Sequence, residues 1–527
     1  MVRTATLCLM MVIYSTFISA QTKFQIHMGG TTIGNMDISR PTNDGGYIFA
    51  GTNQLAPYDI FLIKVDSVAG MTWSRTFGHV TGSERLYEAI QTTDGGYMLA
   101  GNSVLLYNYS MFFVKTDSNG DTLFTRTFGG SGSETATTII QTNDGGYLAA
   151  GTTADINNPP NTSLLLYKMN AAGDSSWSTV LSAPGVSSGE VARSVNQTSD
   201  GGYIIAGEYN FGQFQRDCYL IKIDSVGNVL WNKTYQLPGG AIVASAQQTS
   251  DDGFIIGGNY VPPGGLYNKL YLIRTNSLGD TLWTSVYGGP ALDNFGWVQQ
   301  TSDGGFIQCG LTENFGANSG GDGYMIKTTS TGTLSWSYRY GGISADQFSS
   351  VHQTPDNGYI VGGYTASFGS GYLYAVKTDS VGISNCYQTA TPTIRYTPPV
   401  TIGTTALSNA PANAWISIPT IAVGSIDTTV NTICFISTDI NEINSSILEV
   451  AVYPNPATTQ IHVKLNIKNS KTGKYFLTNA LGQKMLSGLL HSLNEESILN
   501  IESFPSGIYI LTIISEDSLN QTQIVKQ

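Results

Sequence analysis

One phrase recurs seven times along the chain, as Thr42-Asn43-Asp44-Gly45-Gly46-Tyr47 and in equivalents beginning at Thr92, Thr142, Thr198, Thr249, Thr301 and Thr354. Its aspartates, Asp44, Asp94, Asp144, Asp200, Asp251, Asp303 and Asp356, stand 50 to 56 residues apart and 52 on average. A repeat of this length is one supersecondary unit that buries its faces only by stacking on its neighbours. The 527 residues are therefore not to be divided by a typical domain size.

Each unit carries four short runs rich in Tyr, Ile, Val and Leu, seen most clearly at Val191 to Thr198, Tyr203 to Tyr209, Cys218 to Asp224 and Val229 to Tyr235. Four strands in about 50 residues leave no room for helices, so the unit is a small antiparallel sheet. Seven such units predict an all-β, seven-bladed β-propeller over residues 21–387. The Gly-Gly pair marks a hairpin turn. Its first position becomes Asp252 and Asn357 in two units, which predicts a left-handed residue there, whereas the second is always Gly and is expected to need a conformation only Gly reaches.

Two further columns are structural. A basic residue (Lys64, Lys115, Lys168, Lys222, Arg274, Lys327, Lys377) sits in every third strand, its stem expected on the sheet and its charge at a turn carboxylate. An aromatic (Trp73, Phe124, Trp177, Trp231, Trp283, Trp336) opens the fourth strand and is expected to pack between neighbouring sheets. The seventh unit lacks one. Phe24 to Gly29 repeats the spacing of Trp73 to Gly78, so the N-terminal strand is expected to complete the last blade and leave no free edge.

Composition narrows the function classes. Net charge is −12, and residues 447–527 are balanced, so the imbalance lies in the repeats; nucleic acid is excluded as a natural partner. Residues 1–20 read as a secretory signal peptide cleaved between Ala20 and Gln21, too short to span a membrane, and no later segment offers a transmembrane anchor. Cys218 and Cys309 read as buried apolar residues, while Cys386 and Cys434 form a candidate disulfide that export would permit. The five histidines have no metal-ligand spacing, and no cofactor, metal or catalytic residue is assigned. One acidic column remains: Glu84, Glu134, Glu190, Asp293 and Asp346 each lie ten residues before the turn aspartate. As they start the innermost strand, they are candidate ligand-binding residues at a channel mouth; the competing reading is that each caps backbone amides.

Residues 388–446 are rich in Thr, Pro, Ile and Ala and read as a spacer. Phrases such as QTSDGGYIIAG and LIKIDSVGNVLWNKTY resemble the repeats of exported propeller-like proteins of the Bacteroidetes type. The end of the chain carries Tyr453-Pro454-Asn455-Pro456-Ala457, then Leu477 to Gln483, then Phe504-Pro505-Ser506-Gly507-Ile508-Tyr509. Residues 447–527 resemble the type A sorting domain of the type IX secretion system. That resemblance implies a small β-sandwich recognised by the type IX machinery, with the cargo released or held at the cell surface. The expected function is a secreted or surface propeller that binds a glycan, polymer or surface protein through loops such as Asp155 to Thr162 and Val261 to Asn268. A secreted hydrolase or lyase acting at the channel mouth is the alternative, and a structural surface component a third.

Overall fold

The computed structural model describes residues 22–527 except 30–35, 55, 80, 106–107, 131, 155–161, 183–188, 211–215, 316–319, 370–371, 413–414, 418, 420, 427, 438–447, 468–471, 480–483, 492–495 and 515–518. The signal-peptide reading and its cleavage site at Ala20 and Gln21 lie outside the described residues. Among those residues there is no helix, and the chain divides into two compact units, Met1–Ile436 and Ser437–Gln527.

The first unit is built of seven antiparallel five-stranded sheets. Sheet one takes Met36–Pro41, Tyr47–Thr52, Ile60–Val65 and Met71–His79, and sheet two takes Ser83–Gln91, Tyr97–Leu105, Asn108–Thr116 and Thr122–Gly129. Sheets three to six follow the same plan, their first strands being Ser133–Gln141, Glu190–Gln197, Ala241–Gln248 and Asp293–Gln300. Sheet seven has Asp346–Gln353, Tyr359–Thr365 and Tyr372–Thr378, and its fourth strand is the N-terminal Thr22–Gly29. Phe24 pairs there with Lys377, the register that Trp73 keeps with Lys64 in sheet one.

The turn phrase acts as a four-way clip. In unit three the Asp144 carboxylate accepts from Thr142 Oγ1 (2.5 Å), Gly146 N (2.9 Å) and Lys168 Nζ (2.8 Å). The same basic residue meets its turn aspartate in all seven units, Arg274 with Asp251 among them. Burial raises the Asp144 carboxyl, but the bonds from Lys168, Thr142 and the Gly146 N–H outweigh it and hold the group at about 2.

The two glycines of the turn differ in the way the repeat indicates only at the first. Gly145 is left-handed at φ 79°, as are Asp252 (63°) and Asn357 (62°) at the equivalent site. The second glycine is not left-handed, contrary to the expectation. It is required by space: a Cβ on Gly146 would stand 2.3 Å from Met169 O and 2.7 Å from Lys168 Nζ.

Neighbouring sheets are joined through the aromatic column. Trp73 of sheet one meets Tyr97 of sheet two at 5.7 Å between ring centroids, edge to face, and Trp231–Phe254, Trp283–Phe306 and Trp336–Tyr359 repeat the contact. Phe24, on sheet seven, meets Tyr47 of sheet one in the same way at 5.6 Å. Turn-to-turn bonds of 2.8 Å add to this, from Asn43 N to Gln91 Oε1 and onward in five further steps to Ser302 N with Gln353 Oε1.

Residues 388–437, read from sequence as a spacer, are not one. They lay a short strand on the outer edge of every sheet: Gln388–Ala390 on sheet six, Ile394–Tyr396 on five, Thr401–Gly403 on four, Ser408–Pro411 on three, Trp415–Ser417 on two, Ile421–Gly424 on one, and Thr429–Ser437 on seven. This belt visits the sheets in reverse order. Its apolar residues Val400, Leu407, Ala412, Ile421, Ile426 and Ile433 pack into six of the clusters formed by the sheets. Cys386, just before the belt, is bonded to Cys434 in its last strand, with Cα atoms 6.3 Å apart.

The second unit holds a three-stranded sheet (Leu448–Tyr453, Gln460–Ile467, Glu496–Asn500) and a four-stranded one (Thr472–Asn479, Lys484–His491, Gly507–Ile514, Leu519–Lys526). Both contribute to one apolar cluster, Ile461 and Val463 from the first and Leu477, Leu511 and Ile524 from the second.

Candidate functional site

The ladders slip at two recurrent places, one of them between the third and fourth strands of sheets one to six, beside the basic column. In every sheet the pairing of first and second strands slips by a bulge, between Leu86 and Glu88 in sheet two for example. A third recurrent glycine makes room for it: a Cβ on Gly101, Gly151, Gly207, Gly258, Gly310 or Gly363 would fall 1.7–2.1 Å from the carbonyl oxygen of a first-strand residue. The bulge releases Asp37 in sheet one, Tyr87 in sheet two, Thr137 in three and Arg193 in four. The repeat dictates nothing about these side chains.

Asp37 and Tyr87 both line a cleft of about 840 Å3 formed by sheets one to three. Its other walls include Asn53, Gln54 and Tyr58 from the loop after the second strand of sheet one, Arg85, Asn102 and Tyr109 from sheet two, and Thr135 from sheet three. The Tyr58 loop is pinned to sheet two, since Tyr58 N donates to Ser83 Oγ (3.2 Å) and Tyr58 O accepts from Glu84 N (2.7 Å). Arg85 lies over the Tyr87 ring, 5.3 Å from its centroid. Asn102 is 4 % exposed and donates to Thr135 Oγ1 (3.3 Å), while its Oδ1 finds no partner among the described residues. Burial pushes the Asp37 carboxyl up to about 7 against the pull of Arg85.

The five carboxylates of the acidic column make the bonds of the competing capping reading. All are buried, and each accepts from the backbone: Glu84 from His79 N, Glu134 from Gly130 N, Glu190 from Leu164 N, Asp293 from Gly289 N and Asp346 from Gly342 N. Hydroxyls take further oxygens, Ser103 on Glu84 (2.6 Å), Thr153 on Glu134 (3.1 Å) and Ser367 on Asp346 (2.6 Å). Burial raises the pKa of Glu84, Glu134, Asp293 and Asp346 despite these bonds. Four of the five, Glu190 being the exception, clamp the loop that enters their own first strand, and of the five only Glu84 reaches the cleft.

A second, smaller cavity of about 230 Å3 is lined by first-strand residues of all seven sheets, among them Arg40, Glu88, Ile140, Asn196, Gln247, Gln299 and His352. Arg40 pairs with Glu88 at 3.0 Å, linking sheets one and two. His352 is buried, its Nε2 has no partner among the described residues, and burial with Arg40 nearby lowers its pKa well below the usual value. Cys218 and Cys309 are buried thiols whose pKa burial raises. Among the described residues no group of three or more His, Cys, Asp or Glu is placed to hold a metal, and no helix is long and apolar enough to cross a membrane. Of the two loops singled out from sequence, Val261 to Asn268 exposes Leu266 and Tyr267, and most of the other lies outside the described residues.

Comparison with known proteins bears chiefly on the end of the chain. Residues 451–527 match the secretion system C-terminal sorting domain. A chain ending in this domain is exported through type IX secretion to the cell surface or extracellular space, and the domain implies interaction with that machinery. No curated protein matches the chain. Among solved structures, a hypothetical protein from Leishmania major aligns at TM-score 0.27 and 11% identity, over 48% of this chain and 88% of its own. Sqt1 from Chaetomium thermophilum aligns at TM-score 0.35 and 10% identity, over 68% and 99%. Likenesses at these scores carry no argument about fold or function.

Proposed function

We propose that residues 22–436 form a closed seven-bladed β-propeller that serves, after type IX export, as a secreted or surface module binding a glycan, polymer or protein. Closure is supported by the cavity lined from all seven sheets, by Phe24 on Tyr47, and by the Ser39 N to Ser350 Oγ bond of 2.8 Å between sheets one and seven. The two-sheet C-terminal unit is read as a β-sandwich. One observation carries the binding assignment: the cleft of about 840 Å3 is lined, Glu84 apart, by residues outside the repeated columns. A glycan array and a pull-down with surface material test it, and blank results in both refute it.

One observation favours the hydrolase or lyase reading. A carboxyl held at about 7 in a cleft, as Asp37 is, has the protonation expected of a general acid. Turnover of a polysaccharide that is abolished in Asp37→Asn supports that reading, and turnover unchanged in the variant removes Asp37 from it.

A further inference from the structure

We infer that the cleft of sheets one to three takes a neutral saccharide, as a short oligosaccharide or a segment of a longer chain. The inference rests on the binding reading above and specifies its ligand. Three features of the lining point to this chemistry.

Two aromatic residues are left facing water. Tyr58, from a loop of sheet one, and Tyr109, from the strand Asn108–Thr116 of sheet two, are 47% and 44% exposed, while Tyr87, at the bulge, is half-buried beneath Arg85. None of the three occupies a column the blades need. The ring faces of tyrosines cover the C–H faces of pyranose rings, and Tyr58 and Tyr109 bring two such exposed rings to one cleft.

The polar residues are planar and paired-functional. Asn53, Gln54, Asn102, Asp37 and Arg85 are side chains with paired polar atoms of the kind that match neighbouring hydroxyls of one sugar, although Asn53 Oδ1 is taken by Asp59 N and the Asn102 amide nitrogen by Thr135 Oγ1. Asn102 is the strongest pointer. Its side chain is more than nine-tenths buried, it lines the cleft, and its Oδ1 is unbonded among the described residues. A buried acceptor without a donor is rare in a folded protein, and a hydroxyl donor completes this one.

Charge sets the class. A chain of net charge −12 repels polyanionic sugars, and the cleft sets Arg85 beside the carboxyls of Asp37 and Glu84, so neutral sugars are the class it favours. The volume of about 840 Å3 lies within the range of about 300–1,000 Å3 common to small-ligand sites.

The test uses the full exported chain and five neutral probes, maltohexaose, cellohexaose, mannohexaose, xylohexaose and laminarihexaose, with hyaluronan hexasaccharide as a charged control, followed by calorimetry. The expected result is binding of at least one neutral probe, weakened tenfold or more in Tyr58→Ala and in Tyr109→Ala. Both residues are exposed, so an unchanged thermal midpoint shows that the fold survives; Asn102→Ala is read beside them. Binding untouched in both tyrosine variants overturns the cleft. Binding of the charged probe alone overturns the neutral class. Capture of a surface protein with no sugar bound overturns the saccharide inference and leaves the binding module standing, whereas silence toward both sugars and proteins ends both readings.

Discussion

Breaking the Cys386–Cys434 bond is expected to loosen the belt before it loosens the sheets. The two residues are 48 apart in sequence and enclose almost the whole circuit of edge strands. Cross-linking a loop of that length removes about 14 cal/mol/K from the unfolded chain, which is about 4 kcal/mol at room temperature. Against this, the belt strands are mostly three or four residues long and held by one sheet edge each. Without the bond, the belt depends on those short ladders and on side chains such as Val400, Leu407 and Ile426 in the clusters beneath. The assay has two parts. Thiol titration of the denatured, unreduced chain lacking residues 1–20 is expected to count two thiols, Cys218 and Cys309, and none in the native state, where both are buried. Guanidinium unfolding of the double variant Cys386→Ser/Cys434→Ser is then expected to show a loss of about 4 kcal/mol, with belt amides exchanging hydrogen faster than sheet amides. Four thiols in the denatured chain refute the bond. Two thiols with a loss below about 1 kcal/mol refute the reasoning that the closed belt matters.

Gly145→Ala is expected to cost about 1–2 kcal/mol through its left-handed backbone alone, since nothing lies within 4 Å of the new Cβ. Gly146→Ala, without positive φ, is expected to cost more because Met169 O and Lys168 Nζ must move; urea midpoints rank the two. The triple variant Asp144→Asn/Asp200→Asn/Asp303→Asn tests the clips by pH. The folded pKa values of about 2 lie below the unfolded value, so the wild-type advantage is present above about pH 4 and vanishes as pH falls through about 2. An advantage independent of pH counts against those clips. Deleting Ile447 to Gln527 is expected to leave the protein in the periplasm, and surface delivery of the truncation, read by protease accessibility on whole cells, contradicts the sorting role of the domain.

What could be read from sequence was whatever the units repeat. Seven copies of Asp with a basic residue about 20 positions on announce the clip, and the displaced aromatic Phe24 announces the strand that completes sheet seven. The belt was illegible because strands such as Gln388–Ala390 have no internal pattern and take their conformation from the edge they meet. The second turn glycine was misread for a related reason: the atom it avoids, Lys168 Nζ, belongs to another strand. The acidic column was found, and the bonds it makes are those of the competing reading, capping backbone amides. Apart from Glu84, the cleft was missed because its residues are those without a column. The signal for it was there in the third glycine, Gly101 and its equivalents, which marks the bulge and so the neighbouring position free to vary.

In the closed ring proposed above, the joint expected to open first is the least-tied one. Six joints carry the 2.8 Å bond between a turn amide and a glutamine of the next sheet. At the seventh, between sheets seven and one, the donor position is Pro355, which has no N–H, and the acceptor position is Pro41, which has no side-chain oxygen. The last step of the belt, from Ile421–Gly424 on sheet one to Thr429–Ser437 on sheet seven, crosses that joint, and Cys434 pins it there. The disulfide therefore fastens the belt where the turn-to-glutamine bond between sheets is missing.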